Sequence, residues 1–305
     1  MKIFITGASG HIGSLVTAEL IGAGHQVVGL SRTDAGAQRL AALGAEPVVG
    51  TMDDTARLAE LAAASDGVVN LAFAHDGGDF AAAIAADRAL IEALGAALEH
   101  TGKPLLAASG TMMLVGSVPP GDVGSEDTVI DPTRAGNPRA MTDGILRNLA
   151  ARGVRSAALR LSPTVHGPRD HHGFIPSLIA AARQQGSFGY VGDGLNRWPA
   201  VHNLDVSRAI RLALEKDDLP AGIPLHLTAE EGIPFRRIAE AIGRGVNVPV
   251  ESVAPEVAAE RYGFVGNFIG VDNPTSSAQT QELLGWEPTE QTLLEDLDEG
   301  FYFRR

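Results

Sequence analysis

The chain has 305 residues, 45% of them hydrophobic and 20% charged, which is ordinary for a globular protein that buries about three-quarters of its unfolded surface in one large domain or two interlocked ones. A net charge of −13 argues against nucleic acid and anionic membrane as partners, and the absence of cysteine excludes disulfides, thiolate metal ligands and a cysteine nucleophile. No apolar run reaches the length of a membrane span and no signal peptide precedes the first strand, so the protein reads as cytoplasmic.

Ile3-Phe4-Ile5 is a short apolar run that fits a buried parallel strand. It breaks at Thr6-Gly7, and a pattern at helical spacing begins with Ile12, Leu15, Val16 and Leu20. Between them stand Gly7, Gly10 and Gly13, spaced Gly-x-x-Gly-x-x-Gly. Gly7 allows a tight turn, Gly10 lets the backbone approach a pyrophosphate, and Gly13 lets helix pack closely on strand. The helix N-terminus then directs N–H groups and a positive dipole end at the phosphates. The plainer alternative is a glycine-rich turn without a ligand. A triplet placed between strand and helix at the very start of the chain favours the dinucleotide.

His25 to Arg32 reads as a second strand with a polar tip, which in such a fold meets the adenosine ribose. An acid there suits the 2′-hydroxyl of NAD, whereas Ser31-Arg32 suits a 2′-phosphate. NADP is therefore the expected cofactor and NAD the alternative. The competing acid is Asp34, about twenty residues past the glycines, which is read as a cap of the next helix.

Residues 35–43 read as that helix and Glu46 to Val49 as a third strand. Thr51 and Met52 fall in a loop under the adenine, and Asp53 or Asp54 caps the helix carrying Leu58, Leu61 and Ala62. Gly67 to Phe73 is a fourth strand running into a loop, and residues 79–100 a long alanine-rich helix. Leu105 to Thr111 is a fifth strand with hydroxyls at its carboxyl end, where ligands collect in open α/β sheets. Residues 116–139 read as an irregular loop, Ala140 to Arg152 as a helix, and Ser156 to Leu161 as a sixth strand stopped by Ser162-Pro163.

Residues 166–202 then gather His166, His171, His172 and His202 with Phe174, Tyr190, Arg197 and Trp198. Taken singly these are ordinary core or surface residues; their density after a sheet strand marks a substrate pocket. Asp205 to Glu215 returns to helical period. The expected fold is α/β, a Rossmann-type doubly wound parallel sheet with a smaller α/β substrate-binding part. Residues 1–165 form the dinucleotide-binding domain, with 203–216 returning to it, and 166–202 and 217–305 form the smaller part. No metal-ligand set is read. A small-molecule substrate is the expected partner, and a homodimer is left open.

Thr6-Gly7-Ala8-Ser9-Gly10-His11-Ile12-Gly13, Asn70-Leu71-Ala72, Arg160-Leu161-Ser162-Pro163-Thr164-Val165-His166-Gly167-Pro168 and the late Leu284-Gly285-Trp286-x-Pro288 together resemble the short-chain dehydrogenase/reductase superfamily. They look like its extended or atypical, NAD-dependent epimerase/dehydratase-like branch. The resemblance implies that Gly7, Ser9, Gly10, His11, Ile12 and Gly13 line the pyrophosphate, and that Ser31 and Arg32 hold the adenosine phosphate. It places Thr51 and Met52 beside adenine, Leu71, Ala72 and Phe73 at the ribose, and Pro163 and Val165 at the nicotinamide. Thr111 falls at, or one position from, the family's catalytic Ser/Thr, with Ser109 as its neighbour. The family's Tyr-x-x-x-Lys pair belongs near residues 135–143, and this stretch has no tyrosine; none of Tyr190, Tyr262 and Tyr302 has lysine four residues on.

The expected activity is that of an NAD(P)-dependent oxidoreductase, an NADPH-dependent reductase of a small carbonyl or enone. Thr111 polarises the substrate oxygen, and His166 or His202 supplies the proton in place of the tyrosine. Each histidine also has a structural reading, as a residue holding the pocket together. A catalytically silent NADP sensor is the alternative activity, and a nucleotide-sugar epimerase or dehydratase fits less well without the tyrosine.

Overall fold

The computed structural model describes residues 1–74, 79–130 and 138–304. Strand and helix alternate through the first half as β1 (Lys2–Thr6), α1 (His11–Gly22), β2 (Gln26–Ser31), α2 (Asp34–Ala42), β3 (Glu46–Val49), α3 (Thr55–Ala63), β4 (Gly67–Asn70), α4 (Phe80–Ala97), β5 (Pro104–Gly110), α5 (Met141–Ala151) and β6 (Arg155–Leu161). The second half runs β7 (Thr164–His166), α6 (Phe174–Gln185), β8 (Phe188–Val191), β9 (Arg197–His202), α7 (Asn203–Glu215), β10 (Ile223–Leu227), β11 (Glu230–Pro234), α8 (Phe235–Val246), β12 (Val250–Val253), α9 (Pro255–Gly266), α10 (Ala278–Leu284) and α11 (Leu293–Glu299).

Seven strands form one parallel sheet in the order β10-β6-β5-β4-β1-β2-β3. The central strands are buried on both faces, which is why Lys2–Thr6 and Gly67–Asn70 read as nearly continuous apolar runs. One face carries a core built on Val16 and Leu20 of α1 and Val206 and Ile210 of α7; the other packs Leu58, Leu90, Ile91, Leu94 and Leu149 from α3, α4 and α5. Each such fully buried side chain contributes about 1.5–3 kcal/mol of hydrophobic stabilisation. The chain winds outward from β1 to β3 on one side and from β4 to β6 on the other. The carboxyl ends of β1 and β4 therefore open onto the crevice where doubly wound sheets hold ligands.

Ile223–Leu227, which the sequence-based division assigns to the smaller part, is the edge strand of the large sheet and pairs with β6 in parallel register. Leu284 and Trp286 also sink into the core beneath α1 and α7. The smaller layer has a core of its own around Trp198, Phe188, Phe235 and Ile238, covered by α6, α8, α9 and α11. Its sheets are β11-β9-β7 and β12-β8.

The α2 start differs from the reading above, and the α3 start selects one of its two acids. Thr33 caps α2, its hydroxyl accepting from the Gly36 N–H at 3.1 Å, and Asp34 stands inside the first turn. Of the two acids offered for α3, Asp54 is the cap and accepts from the Arg57 N–H at 3.3 Å.

Candidate functional site

The glycine turn is tight in two measurable ways. Gly7 has φ +66°, and a Cβ there would stand 2.8 Å from the backbone nitrogen of Ala72, so the turn presses against the exit of β4. At Gly13 a Cβ would lie 2.1 Å from the Gly7 carbonyl oxygen, so helix and turn touch through backbone alone. Gly10 is the N-cap of α1 and no side chain caps that helix. The N–H groups of its first turn, at His11, Ile12 and Gly13, are thus left to solvent or to an anion. These residues fit a dinucleotide pyrophosphate.

At the β2 tip Ser31 is buried. Its hydroxyl donates to the Thr33 carbonyl at 3.0 Å and accepts from the Thr33 N–H at 3.3 Å, so a local turn already uses it. A Cβ on Gly36 would meet Ser31 Oγ at 2.1 Å and Ser9 Oγ at 3.1 Å, which brings the glycine turn and the β2 tip together at one point. Arg32 is exposed beside them, as are Thr51, whose hydroxyl donates to Asp53 at 3.3 Å, and Asp34; Met52 is half-buried.

At the exits of β1 and β4, Thr6 Oγ1 donates to Asn70 Oδ1 at 2.5 Å and accepts from the Ala72 N–H at 3.2 Å. Leu71, Ala72 and Phe73 are half-buried beyond it. Thr111 opens a short 3-10 turn after β5; it is 0% exposed, and its hydroxyl accepts from Asn273 Nδ2 at 3.1 Å. Ser109 donates to Asp143 at 2.9 Å. Asp143 is held by Arg160 through Nε at 2.8 Å and Nη2 at 2.6 Å, and Arg160 Nη1 meets His226 Nε2 at 3.0 Å. His226 Nδ1 donates to the Ser276 carbonyl at 2.7 Å. Burial first, then the neighbouring Arg160, hold His226 down at about 4, so it is a neutral acceptor.

Sequence reasoning passed over Asp143, Arg160 and His226. The available signals were an arginine inside the apolar run Ala157-Ala158-Leu159-Arg160-Leu161 and a histidine inside a strand. It also passed over Asp87, on the inward face of α4 with Ile84, Leu90 and Ile91, and Arg139, whose guanidinium lies 4.0 Å above the Phe73 ring. Arg139 and Asp143 fall within the stretch where the resemblance places the tyrosine–lysine pair; residues 135–137 of that stretch lie outside the described residues.

His166 and His202, read as proton donors, are each buried and make a contact of their own. They face one another across the β7–β9 pairing with ring centroids 5.4 Å apart. His166 Nδ1 donates to Asp296 at 2.5 Å, with both groups 1% exposed. His202 caps α7, its Nδ1 accepting from the Leu204 N–H at 3.3 Å. Thr111 is bound into a different network, that of Asn273. The His11 ring turns toward the second half, with Nε2 accepting from Asn203 at 3.0 Å and Nδ1 3.8 Å from Asp170. Burial and the surrounding histidines lower its pKa to about 4. Pro163, between β6 and β7, and Val165, within β7, are half-buried.

A seven-stranded parallel sheet with a glycine turn at its switch point defines a Rossmann-type α/β protein. A model of the NAD dependent epimerase/dehydratase family matches residues 3–224, and the chain belongs to that family. An uncharacterised protein of Schizosaccharomyces pombe is 44% identical over 303 residues, covering 99% of this chain and 100% of the relative. The chain is 27% identical over 243 residues to 4-hydroxy-2-methyl-3-oxo-4-farnesyl-3,4-dihydroquinoline-1-oxide ketoreductase of Stigmatella aurantiaca, covering 77% of this chain and 69% of that one. The fold matches that of UDP-glucuronic acid 4-epimerase from Bacillus cereus, solved with UDP-glucuronic acid and NAD, at a TM-score of 0.76 and 20% identity over 100% of this chain and 99% of the other.

Proposed function

We propose that the protein is an NADPH-dependent reductase of a small carbonyl or enone. The observation that carries this reading is the uncapped N-terminus of α1, set against the β4 exit at the sheet's switch point. The likeness to a ketoreductase supports the reaction class, and the exposed Arg32, following a strand whose tip carries no acid, supports the 2′-phosphate. The bound dinucleotide supplies the hydride.

The chain's own residues supply the rest. Gly7, Ser9, Gly10, His11, Ile12 and Gly13 surround the pyrophosphate, mainly through backbone N–H groups. Arg32 carries most of the phosphate recognition, since Ser31 is engaged locally. Thr51 and Met52 flank adenine, Leu71 to Phe73 and Ser109 stand along the ribose side, and Pro163 with Val165 backs the nicotinamide. Thr111 accepts from Asn273, which directs its own O–H away from that partner and toward a substrate oxygen. His166 and His202 hold β7, β9 and α11 together, so the proton comes from solvent. A redox-silent dinucleotide sensor is the second reading. It is favoured by the full burial of Thr111 and by Ser109 being bound to Asp143. A nucleotide-sugar epimerase or dehydratase is the third, and the missing tyrosine weighs against it.

The deciding experiment follows NADPH and NADH oxidation against a panel of aldehydes, ketones, enones and quinones. Turnover with NADPH on any of them supports the reductase. Tight NADPH binding without turnover on the whole panel leaves the sensor.

A further inference from the structure

The ring of His11 has no role in the reading above, which uses only its backbone N–H. It stands in the first turn of α1, where the positive end of the helix dipole disfavours a cation. Around it the second half of the chain gathers four more of the nine histidines. His171 and His172 lie exposed between β7 and α6 with ring centroids 6.3 Å apart, and His166 and His202 face one another from β7 and β9 at 5.4 Å. A proton on any of the four repels one on His11.

The acids beside this cluster are buried. Asp296 is bound to His166, and Asp170 Oδ1 stands 3.8 Å from His11 Nδ1. Asp170 also accepts from the Gly173 N–H at 2.8 Å and the Tyr302 hydroxyl at 3.1 Å. Asn203, at the start of α7, donates to His11 Nε2 at 3.0 Å, which leaves Nδ1 to carry the hydrogen of the neutral ring toward Asp170. The Asn203 carboxamide makes no other hydrogen bond among the described residues, so turned over it offers Oδ1 to a protonated Nε2. Burial first, then the neighbouring histidines, hold the ring neutral down to about 4.

An anion reverses that balance. Phosphate oxygens on the N–H groups of His11, Ile12 and Gly13 bring negative charge to the same turn and oppose the field of the helix end. One such charge about 6–8 Å from a partly buried ring raises its proton affinity roughly thirty- to a hundredfold.

We propose that the dinucleotide binds together with a proton, and that the His11 ring, facing Asp170 and Asn203, is the group that takes it. This rests on the dinucleotide reading of the glycine turn and applies to NADP and NAD alike. In the free protein the ring is neutral above about pH 4 and in the complex its value is raised, so cofactor affinity rises as pH falls from 8 toward 6.

Calorimetry of NADP⁺ binding to the full chain at pH 6, in two buffers of unlike ionisation enthalpy, counts the protons, with NAD⁺ run alongside. Wild type should take up about half a proton more per cofactor than His11→Gln, which keeps an acceptor for Asn203 and cannot be charged. Both proteins meet the same ligand, so the titration of its own 2′-phosphate cancels in the comparison. Between pH 8 and 6 the ratio of wild-type to variant affinity should grow about twofold or more. Equal proton counts in the two proteins, or a ratio that does not move with pH, would overturn the proposal. Should His11→Gln fail to fold, nuclear magnetic resonance of the wild-type histidine rings decides: one ring neutral at pH 6 in the free protein must gain a proton when NADP⁺ is added, and its absence counts against the proposal. Failure of both dinucleotides to bind removes the glycine-turn reading and the proposal with it, whereas binding without the extra proton removes the proposal alone.

Discussion

Arg32 is one exposed side chain on which a cofactor preference turns. If it holds the 2′-phosphate, Arg32→Ala should weaken NADPH by about 1.5–3 kcal/mol and leave NADH nearly unchanged, by titration of both cofactors. Equal losses would make Arg32 structural. Thr111 gives two separable readouts. Thr111→Val leaves Asn273 Nδ2 without its acceptor, which costs about 1–3 kcal/mol of stability in a melting experiment. If the hydroxyl also polarises the substrate, the rate falls about 10²–10³-fold while cofactor affinity holds. A rate that drops no further than the stability loss accounts for would remove Thr111 from the chemistry. His226 sets an acid limit. Its folded value of about 4 lies below the ordinary 6.5, so the stability tied to it is whole above pH 6.5 and is lost as pH falls toward 4. The loss is at most about 3 kcal/mol. Asp87 and Asp170, both raised to about 6 by burial, act in the opposite sense, stabilising below the usual carboxylate range and losing that contribution as pH rises through 6. As pH falls from 6.5 to 4, His226→Asn should therefore lose less stability, or gain more, than wild type. Parallel curves would contradict this.

The turn from β1 into α1 is the element on which the cofactor reading depends, and its glycines are not equivalent. Gly10 has an ordinary φ of −77°, and a Cβ there would meet only the Gly7 carbonyl, at 3.2 Å. Gly10→Ala should keep the fold within about 1 kcal/mol and weaken NADPH roughly tenfold or more, because the methyl occupies the approach to the pyrophosphate. Gly13→Ala drives a methyl into backbone and should lower both the melting temperature and cofactor affinity. The site reading fails if Gly10→Ala binds NADPH as tightly as wild type.

Over the whole molecule, the second half is held together by polar contacts as well as by packing. Asp296 on α11 binds His166 on β7, Tyr302 donates to Asp170 at 3.1 Å, and the Gly167 N–H donates to Tyr302 at 3.0 Å. Asp296→Ala removes one partner of a buried pair and should cost about 3–5 kcal/mol, seen as a lower melting temperature with NADPH affinity unchanged. A variant as stable as wild type would show that α11 is held by Leu293 and Leu297 alone.

Local chemistry made the first half of the chain readable. A strand buried on both faces is apolar along its length, a helix repeats near every fourth residue, and a turn that must approach a phosphate needs glycine; all three signals lie within a few residues of one another. The alternation through Arg155–Leu161, the glycine turn and the polar tip at Ser31-Arg32 were therefore legible in order. Contacts between distant segments were not. The partners of Arg160 lie 17 and 66 residues away, those of His166 and Thr111 130 and 162 residues away, and no spacing rule reaches that far. Ile223–Leu227 has the length and composition of any short strand; its place at the edge of the large sheet was decided by β6 offering an unpaired edge. The same holds for His202, whose place at the head of α7, with Nδ1 accepting from the Leu204 N–H, is set by the tertiary structure.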